Sequence, residues 1–435
     1  MTDKTVYAPS SAIGGAIAVI RISGSLSKSI ARRILSANVT ATPARLCHTR
    51  IIDGDEVIDE AMAVYFAAPA TYTGEDMLEL HCHGGAQTVQ AVLACLSKTG
   101  ARPAENGEFT KRAFLNGKMD LSRAEAVMDV INAAASRSLK AALLQLQGGV
   151  FTVVNEVSEL LLDALAGIDA AIDYPDEAYE DAYEDVPQRI AEARSRLDAL
   201  IASGRRGRVL REGLRLAIVG KPNVGKSSLL NALLGRERAI VTAEAGTTRD
   251  TIEELFSVRG FPIRLVDTAG IREGAATIEA IGIERARSEL KNCDLALVVL
   301  DGSAALDEND RAVLELSKGL QRLVVQNKAD LCSIKLDEAT LLISAATGLG
   351  MADLEAAIAS SIGADVTDET PITNERHLFA LERARECLLH AAEALELDCI
   401  ATDIRDGLHW IGTITGADVD SQVIDRIFEN FCVGK

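Results

Sequence analysis

The feature that most constrains this chain is an octapeptide that follows a short apolar run. Residues 220–227 read G-K-P-N-V-G-K-S, directly after the mostly apolar stretch 214–219. The glycines let backbone N–H groups turn inward around a polyphosphate, Lys226 can neutralise its charge, and the Ser227 hydroxyl can bind Mg²⁺. The pattern predicts a strand followed by a phosphate-binding loop.

Three further motifs follow in the order that a guanine-nucleotide domain requires. The first, D-T-A-G at 267–270, puts the carboxylate of Asp267 where it can reach the metal shell. The second, N-K-A-D at 327–330, ends in a carboxylate that can accept two N–H bonds from a guanine edge, which adenine lacks. The third, S-A-A at 344–346, is the expected backbone clamp on the guanine oxygen. Together the motifs predict GTP as the ligand.

The segment after the D-T-A-G motif lacks a residue that many small GTPases use. Gly270 is followed by Ile271, which has no polar group to orient the attacking water. Glu273 and Glu279 are the carboxylates on the following segment, and both are candidates. Asn223 offers a side-chain carbonyl that can hold a monovalent cation, although asparagine also serves as a plain loop former.

Length and composition limit the remaining possibilities. A chain of 435 residues suggests about three domains. Its net charge of −19 argues against broad, non-specific nucleic-acid binding, because phosphate neutralisation needs clustered lysine and arginine. No apolar run reaches the ~18 residues that cross a bilayer. The first residues lack a signal pattern, so we expect no membrane association and a cytoplasmic protein.

Three local patterns leave alternatives open. The sequence H-C-H at 81–83 is read as either metal ligands or a strand edge before a turn. The basic run at 205–211 is read as either an RNA contact or a solvated linker. Cys432, three residues from the end, is either a catalytic thiol or part of a packed tail.

The pattern of apolar and polar residues changes three times along the chain. Residues 1–117 alternate short apolar runs with Gly, Pro, Asn and Asp, which predicts an α+β domain. Residues 118–210 show helical periodicity, with a capping box S-R-A-E at 122–125. Residues 211–365 alternate strands and helices, as a parallel sheet requires, and residues 366–435 are helical again. We expect a multidomain α/β protein in which a P-loop GTPase domain is inserted into an α-helical domain.

Separated motifs along the whole chain resemble one family. They are R-I-S-G at 21–24, T-G-E-D-M-L-E at 73–79, H-G-G at 83–85, G-E-F at 107–109, R-A-F-L-N-G-K at 112–118 and F-C-V-G-K at 431–435. In this order they are similar to the MnmE (TrmE) family of tRNA-modification GTPases. The phosphate loop and the G-T-T-R-D segment at 246–250 agree with that resemblance.

The resemblance implies a specific activity. The family adds an aminomethyl or carboxymethylaminomethyl group to carbon 5 of the wobble uridine of tRNA. It works with an FAD-containing partner, MnmG, in a heterotetramer or larger complex, and FAD is bound by the partner only. It also implies a homodimer formed through the N-terminal domain. That domain resembles folate-binding folds and holds 5-formyl- or 5,10-methylenetetrahydrofolate, for which the matching positions are Arg21, Glu79, Lys118 and Lys435.

The resemblance also implies metal and catalytic residues. Mg²⁺ would be bound by Ser227 and Thr248, and Glu279 would orient the attacking water. A K⁺ ion would take the place of an arginine finger, and its ligands match Asn223, Thr242, Glu244 and Thr247. The expected GTP contacts are Asn223, Val224, Gly225, Lys226, Ser227, Ser228, Thr242, Ala243, Glu244, Ala245, Gly246, Thr247, Thr248, Asp267, Thr268, Ala269, Gly270, Asn327, Lys328, Ala329, Asp330, Ser344, Ala345 and Ala346.

Two other functions compete with this one. A ribosome-assembly GTPase switch would use the same nucleotide motifs, but it predicts a basic RNA-binding appendage that neither flank shows. A folate-storage or scaffold protein would not need intact phosphate and metal ligands. The tRNA-modification reading therefore agrees best with the sequence.

Overall fold

A computed structural model describes residues 4–173, 184–235, 255–266, 287–288, 290–331, 336–363 and 372–435. The chain divides into two compact units, Met1–Met128 with Gly412–Lys435 and Asp129–Ile411. The four-segment division expected from sequence stays a prediction. The strands are β1 Val6–Pro9, β2 Ile17–Ser23, β3 Cys47–Asp53, β4 Glu56–Phe66, β5 Met77–His83, β6 Arg102–Pro103, β7 Leu214–Val219, β8 Leu255–Val258, β9 Phe261–Leu265, β10 Leu295–Asp301, β11 Arg322–Asn327 and β12 Leu341–Leu342.

The helices fall in both units. They are α1 Ser27–Ile34, α2 Ala86–Ser97, α3 Glu108–Leu115, α4 Leu121–Ile131, α5 Ser136–Leu146, α6 Gly149–Asp173, α7 Val186–Glu212, α8 Lys226–Leu234, α9 Glu308–Leu316, α10 Met351–Ser361, α11 Glu375–Glu393, α12 Leu397–Thr415 and α13 Ser421–Glu429. Among the described residues, none of these helices is both long and apolar enough to cross a membrane.

The first unit contains a six-stranded sheet in the order β3-β4-β5-β2-β1-β6, with one face covered by helices. Alternate residues of β2, such as Ile20 and Ile22, are fully buried in a core shared with α1 and α2. The residues between them point to the opposite face, because a strand alternates its side chains. This α+β arrangement confirms the predicted fold class of the N-terminal region.

The end of the chain belongs to this first unit. Phe428 and Phe431 pack with Leu121 and Phe114 in one small apolar cluster. Gly107, with a φ of 63°, lets the backbone before α3 approach this segment, since a Cβ there would lie 2.8 Å from Phe431 Cβ. The sequence leaves a packed tail open for the last residues, and Phe431 is indeed packed, but the sequence does not indicate the partners in this cluster.

The second unit contains a six-stranded sheet in the order β12-β11-β10-β7-β9-β8. Its strands are parallel except for β8, which pairs antiparallel with β9. Successive residues of β7 pack into two cores, Leu216 and Ile218 on one face and Ala217 and Val219 on the other. The sheet is therefore buried on both faces, as a parallel sheet requires, and the predicted strand at 214–219 is confirmed.

Three long helices of the second unit pack side by side, α6 against α7 and α7 against α11. The basic run at 205–211 is the last part of α7, so its interpretation as a linker is wrong. Arg208 and Arg211 form ion pairs with Asp294 and Asp129. These two arginines of α7 therefore have carboxylate partners on neighbouring segments.

The expected capping box at 122–125 is also wrong. α4 begins one residue earlier, at Leu121, and the carboxylate of Asp120 accepts from the backbone N–H of Arg123 at 3.2 Å. Ser122 donates its hydroxyl hydrogen to the same carboxylate. Aspartate caps a helix as well as serine does. Here Asp120, two residues before Ser122, takes that position.

Candidate functional site

The phosphate loop is the turn between β7 and α8. β7 ends at Val219, and α8 begins at Lys226. Gly225, which caps α8, has a φ of 96°, and a Cβ at this position would lie 2.3 Å from Asn327 Nδ2. Only glycine satisfies both conditions. The N-terminus of α8 therefore directs its first backbone N–H groups toward the loop, which is the arrangement that binds anions.

The side chain of Lys226 is held by the loop itself. Its Nζ donates to the backbone carbonyls of Gly220 at 2.6 Å and Lys221 at 2.8 Å. Both acceptors are neutral, whereas an ionised phosphate oxygen forms a stronger bond with an ammonium. Lys226 can therefore exchange these carbonyls for the oxygens of a bound polyphosphate.

Lys221 fastens the start of the loop to α9. Its Nζ lies 2.7 Å from Asp310 Oδ2 and 2.9 Å from Asp307 Oδ2. The two aspartates form the capping box of α9, and Asp310 is only 2% exposed. Hydrogen bonding to Asp310, and also to Asp307, raises the pKa of Lys221. Sequence reasoning missed this contact, although the D-x-x-D spacing at 307–310 is itself a helix-start signal.

Asn327 connects the phosphate loop to the segment expected to clamp guanine. Its Nδ2 donates to Val224 O at 2.8 Å, and its Oδ1 accepts from Ala345 N at 3.0 Å. The residue is 2% exposed. Its amide thus fixes two loops that follow different strands at the carboxyl edge of the sheet.

Asp330 lies beside Asn327 and is oriented by Ser344. The Ser344 hydroxyl donates to Asp330 Oδ1 at 2.5 Å, and it accepts from Thr347 N at 3.2 Å. Lys328, with a φ of 63°, pairs with Asp301 at 2.6 Å. Burial opposes ionisation of Asp301, but the hydrogen bonds from Lys328 and Ser303 together outweigh it and lower the pKa of that carboxyl. The structure therefore brings together the two motifs predicted to bind the base, N-K-A-D at 327–330 and S-A-A at 344–346.

The remaining described residues of the loop are accessible. Asn223, Ser227 and Ser228 are exposed, and Asn223 has a φ of 66°. Other predicted site residues lie outside the described residues. These are Thr242, Ala243, Glu244, Ala245, Gly246, Thr247, Thr248, Asp267, Thr268, Ala269, Gly270 and Glu279.

A second candidate site lies on the face of the first unit's sheet that is opposite to the core shared with α1 and α2. Arg21 and Glu79 stand directly opposite each other on β2 and β5. Arg21 Nε and Nη2 lie 3.0 and 2.9 Å from Glu79 Oε1. The guanidinium also lies 5.3 Å from the ring centre of Tyr72 and 5.7 Å from that of Phe109. These two aromatic residues were not predicted from the sequence.

The other two predicted folate-binding positions lie around the same residues. Lys118 Nζ donates to Pro69 O at 3.0 Å, in the segment that leads to Tyr72. Lys435 O accepts from Phe109 N at 3.1 Å, at the start of α3. Cys432 O accepts from Gly107 N at 3.3 Å. The last residues of the chain are thus fixed against the N-terminus of α3.

A buried network of ion pairs between arginine and glutamate side chains stabilises α3. Arg112 donates to Glu108 Oε1 at 2.7 Å and to Glu75 Oε2 at 2.9 Å. Arg102 forms two further bonds to Glu108, at 2.7 and 2.8 Å. Because Phe109 follows Glu108 in the chain, this network fixes the aromatic ring that faces Arg21.

The H-C-H sequence lies in β5. His83 Nδ1 lies 2.7 Å from Asp59 Oδ1, and Glu79 is the carboxylate nearest His81, at 3.7 Å. Within the part of the chain that the structure describes, no three His, Cys, Asp or Glu side chains are grouped to hold a metal. His83 therefore hydrogen-bonds to Asp59, whereas His81 Nε2 makes no hydrogen bond to the described residues.

Two family models and full-length relatives match this chain. A family model described as the GTP-binding protein TrmE N-terminus matches residues 5–118, and one described as the MnmE helical domain matches residues 121–432. The tRNA modification GTPase MnmE of Natranaerobius thermophilus is 40% identical over 100% of both chains. That of Exiguobacterium sibiricum is 42% identical, also over 100% of both chains.

Among solved structures, the FeoB G-domain from Methanococcus jannaschii is 29% identical over 34% of this chain and 98% of its own, with a TM-score of 0.26. A TM-score this low carries no argument about the fold.

Proposed function

Since the chain belongs to the MnmE family of tRNA modification GTPases, we propose that it hydrolyses GTP and that this hydrolysis serves tRNA modification. The observation that carries the proposal is the assembly at one edge of the second sheet. There Lys226 follows β7, Asn327 ends β11 and Asp330 follows it; Asn327 donates to Val224 of the phosphate loop, and Ser344 donates to Asp330. The phosphate-binding loop and a carboxylate suited to guanine thus lie on one framework of loops that are connected by hydrogen bonds.

The residues of this framework divide the binding of GTP between them. The N–H groups before and within the first turn of α8 would bind phosphate oxygens, and Lys226 would exchange its two carbonyl partners for the β- and γ-phosphates. Asp330, held by Ser344, would accept two hydrogen bonds from the guanine edge. Asn327 bonds to both loops with its amide, so part of its role is to position the other residues of the site.

The exposed oxygens of the loop suit hard cations. Ser227 lies at the start of α8 and offers the hydroxyl that would bind Mg²⁺, together with Thr248. Asn223, exposed at the tip, offers an amide oxygen for K⁺, with Thr242, Glu244 and Thr247 as further ligands. When bound, K⁺ supplies positive charge against the phosphates during hydrolysis. Glu279 would orient the attacking water.

We further propose that the first unit holds a tetrahydrofolate one-carbon donor. Arg21 and Glu79 offer one cation and one carboxylate beside the rings of Tyr72 and Phe109, which suits a flat heterocycle with polar edges. Burial raises the pKa of Tyr72, so its hydroxyl stays neutral and bonds to Thr110 at 2.9 Å. These chemical features support a 5-formyl or 5,10-methylene derivative as the ligand.

The modification itself would be made at carbon 5 of the wobble uridine, in a homodimer that works with the FAD-containing MnmG. The charge of the chain supports a need for a partner in tRNA binding. The net charge is −19, and Arg208 and Arg211 are already paired with carboxylates. A protein with this balance gains little from phosphate contacts, so much of the tRNA-binding surface would come from the partner.

The proposal is tested by measuring GTP turnover and tRNA nucleosides with the same variants. We expect Lys226→Ala to abolish GTP turnover and the 5-substituted wobble uridine in cells that lack the native gene. If the purified protein turns over GTP but cells that lack its gene keep normal wobble nucleosides, the ribosome-assembly switch would be favoured instead. Equal turnover in KCl and NaCl would contradict the role of K⁺.

A further inference from the structure

The hairpin turn between β8 and β9 lies against the first turn of α5. Arg259 and Gly260 form this turn with φ values of 49° and 82°, which is the type I′ geometry of two-residue hairpins. Arg137 N donates to Gly260 O at 3.0 Å, and the Arg137 guanidinium lies 4.4 Å from the ring centre of Phe261. A Cβ on Gly260 would lie 2.6 Å from Ser136 Oγ, so the two backbones meet closely.

This contact lies at the edge of the sheet opposite to the phosphate loop. β7 and β9 are parallel and paired from Leu214↔Ile263 onward, so both begin near the hairpin turn. β7 then ends at Val219, where the phosphate loop starts. A nucleotide would therefore bind at the carboxyl ends of the same strands whose amino ends approach α5.

A second contact holds the same edge of the sheet. Asp294, directly before β10, accepts from Arg215 N at 3.0 Å and from Arg215 Nε at 3.1 Å, and it also pairs with Arg208 at 3.2 Å. Burial opposes ionisation of Asp294, but the bonds from Arg215 outweigh it and lower its pKa. Arg208 belongs to α7, which leads into β7 through Gly213. This contact therefore lies where the chain itself connects helix and sheet.

The junction of α7 and β7, where Val209 and Leu210 also pack into the core of the sheet, and the contact at Arg137 have different mechanical consequences. A sheet fastened only at the junction of α7 and β7 can rotate about that junction, and Gly213, with a φ of 89°, is the residue at it. A second contact, remote from the junction in sequence, fixes the angle. Arg137 lies 76 positions before Gly213 in the chain and supplies such a contact.

We propose that Arg137 is a positioning residue which, through its contact with Gly260 and Phe261, sets the angle of the nucleotide-binding sheet against the α-helices and thereby couples GTP hydrolysis to tRNA modification. The inference rests on the proposed function above. The buried strands transmit displacement because close-packed side chains leave no room for independent movement, and Ile263 and Leu265 of β9 are 0% exposed. The phosphate and guanine contacts all lie within the sheet and its loops, so they do not need Arg137.

The test separates coupling from nucleotide chemistry. Arg137→Ala removes the guanidinium but keeps the backbone bond to Gly260, and Phe261→Leu removes the ring from the other side while keeping an apolar side chain. Arg405→Ala is the matched control, because Arg405 forms an exposed ion pair with Asp169 at 2.8 Å on the helices. Each variant is assayed for GTP turnover when purified and for wobble-uridine modification in cells that lack the native gene.

We expect Arg137→Ala to keep GTP turnover within about twofold while wobble modification per cell falls roughly fivefold or more, the range of ordinary coupling between sites. Phe261→Leu should match it, and the double variant should be no worse than either, because both changes break one contact. Arg405→Ala should change neither readout.

Three results would overturn the inference. They are full modification by Arg137→Ala, a parallel loss of turnover and modification, and additive losses in the double variant. If the native protein itself fails to restore modification, the proposed function fails, and that result differs from all three.

Discussion

Replacing Arg112 by methionine tests how the first unit fixes α3 and, with it, Phe109. The Arg112 side chain is 5% exposed and donates to Glu108, Glu75 and the carbonyl of Lys4. Methionine retains the apolar contacts of the stem and removes all of these bonds. Breaking a buried ion pair from one side destabilises by about 3–5 kcal/mol. Because Glu108 keeps its two bonds from Arg102, we expect the low end, about 3 kcal/mol.

The pH dependence of this loss follows from Glu108. Burial raises the pKa of Glu108, but hydrogen bonds from Arg102, from the Glu105 backbone and from Arg112 outweigh it and hold the pKa below its ordinary value. Such a carboxylate contributes stability above its ordinary pKa, and the contribution is lost as the pH falls through the folded-state pKa. The difference between native protein and variant should therefore be largest at neutral pH and shrink in acid.

Hydrogen exchange measures this free energy in the full chain, because amides of α3 and β1 report the opening of their own region. Arg50→Met is the matched control in the same unit. Its ion pair with Glu60 is 58% and 56% exposed, and exposed pairs contribute less than about 1 kcal/mol. An Arg112→Met variant whose α3 amides are no less protected than those of Arg50→Met would refute the reasoning, as would a difference that grows in acid.

The remaining predictions concern the nucleotide site. Asp330→Asn should weaken GTP binding by roughly 10- to 100-fold and favour xanthosine triphosphate, because the amide donates where the carboxylate accepted; competition titrations would measure both. Lys221→Met should weaken GTP binding by about tenfold, since it leaves Asp310 buried without its cation, whereas Lys221→Arg should bind nearly as well as the native protein. Asn223→Ala should hydrolyse GTP at one rate in KCl and NaCl, and a retained K⁺ stimulation would reassign the ligand.

Much of the fold was accessible from sequence because its signals are local. The strand at 214–219 was predicted with its observed bounds. β3 and the short helices α1 and α3 were not predicted. β3 reads C-H-T-R-I-I-D, whose polar residues are typical of a strand with one exposed face but lack an apolar run.

Contacts between distant segments were beyond sequence reasoning. The alternation within β2 places Arg21 on the face opposite to Ile20 and Ile22. Only the register with β5 brings Glu79 opposite to Arg21. The ion pair between Lys221 and Asp310 joins residues 89 positions apart. Likewise, the arginines at 205–211 resembled a linker because their carboxylate partners, Asp294 and Asp129, lie far away in the chain.

GTP hydrolysis at the phosphate loop is, under the proposed function, required for tRNA modification. The most direct measurement is mass analysis of wobble nucleosides in tRNA from cells that lack the native gene and express either this chain or its Lys226→Ala variant. We predict 5-substituted wobble uridine with the native chain and its absence with the variant, at equal protein levels. Equal amounts of modified uridine in both strains would contradict the account.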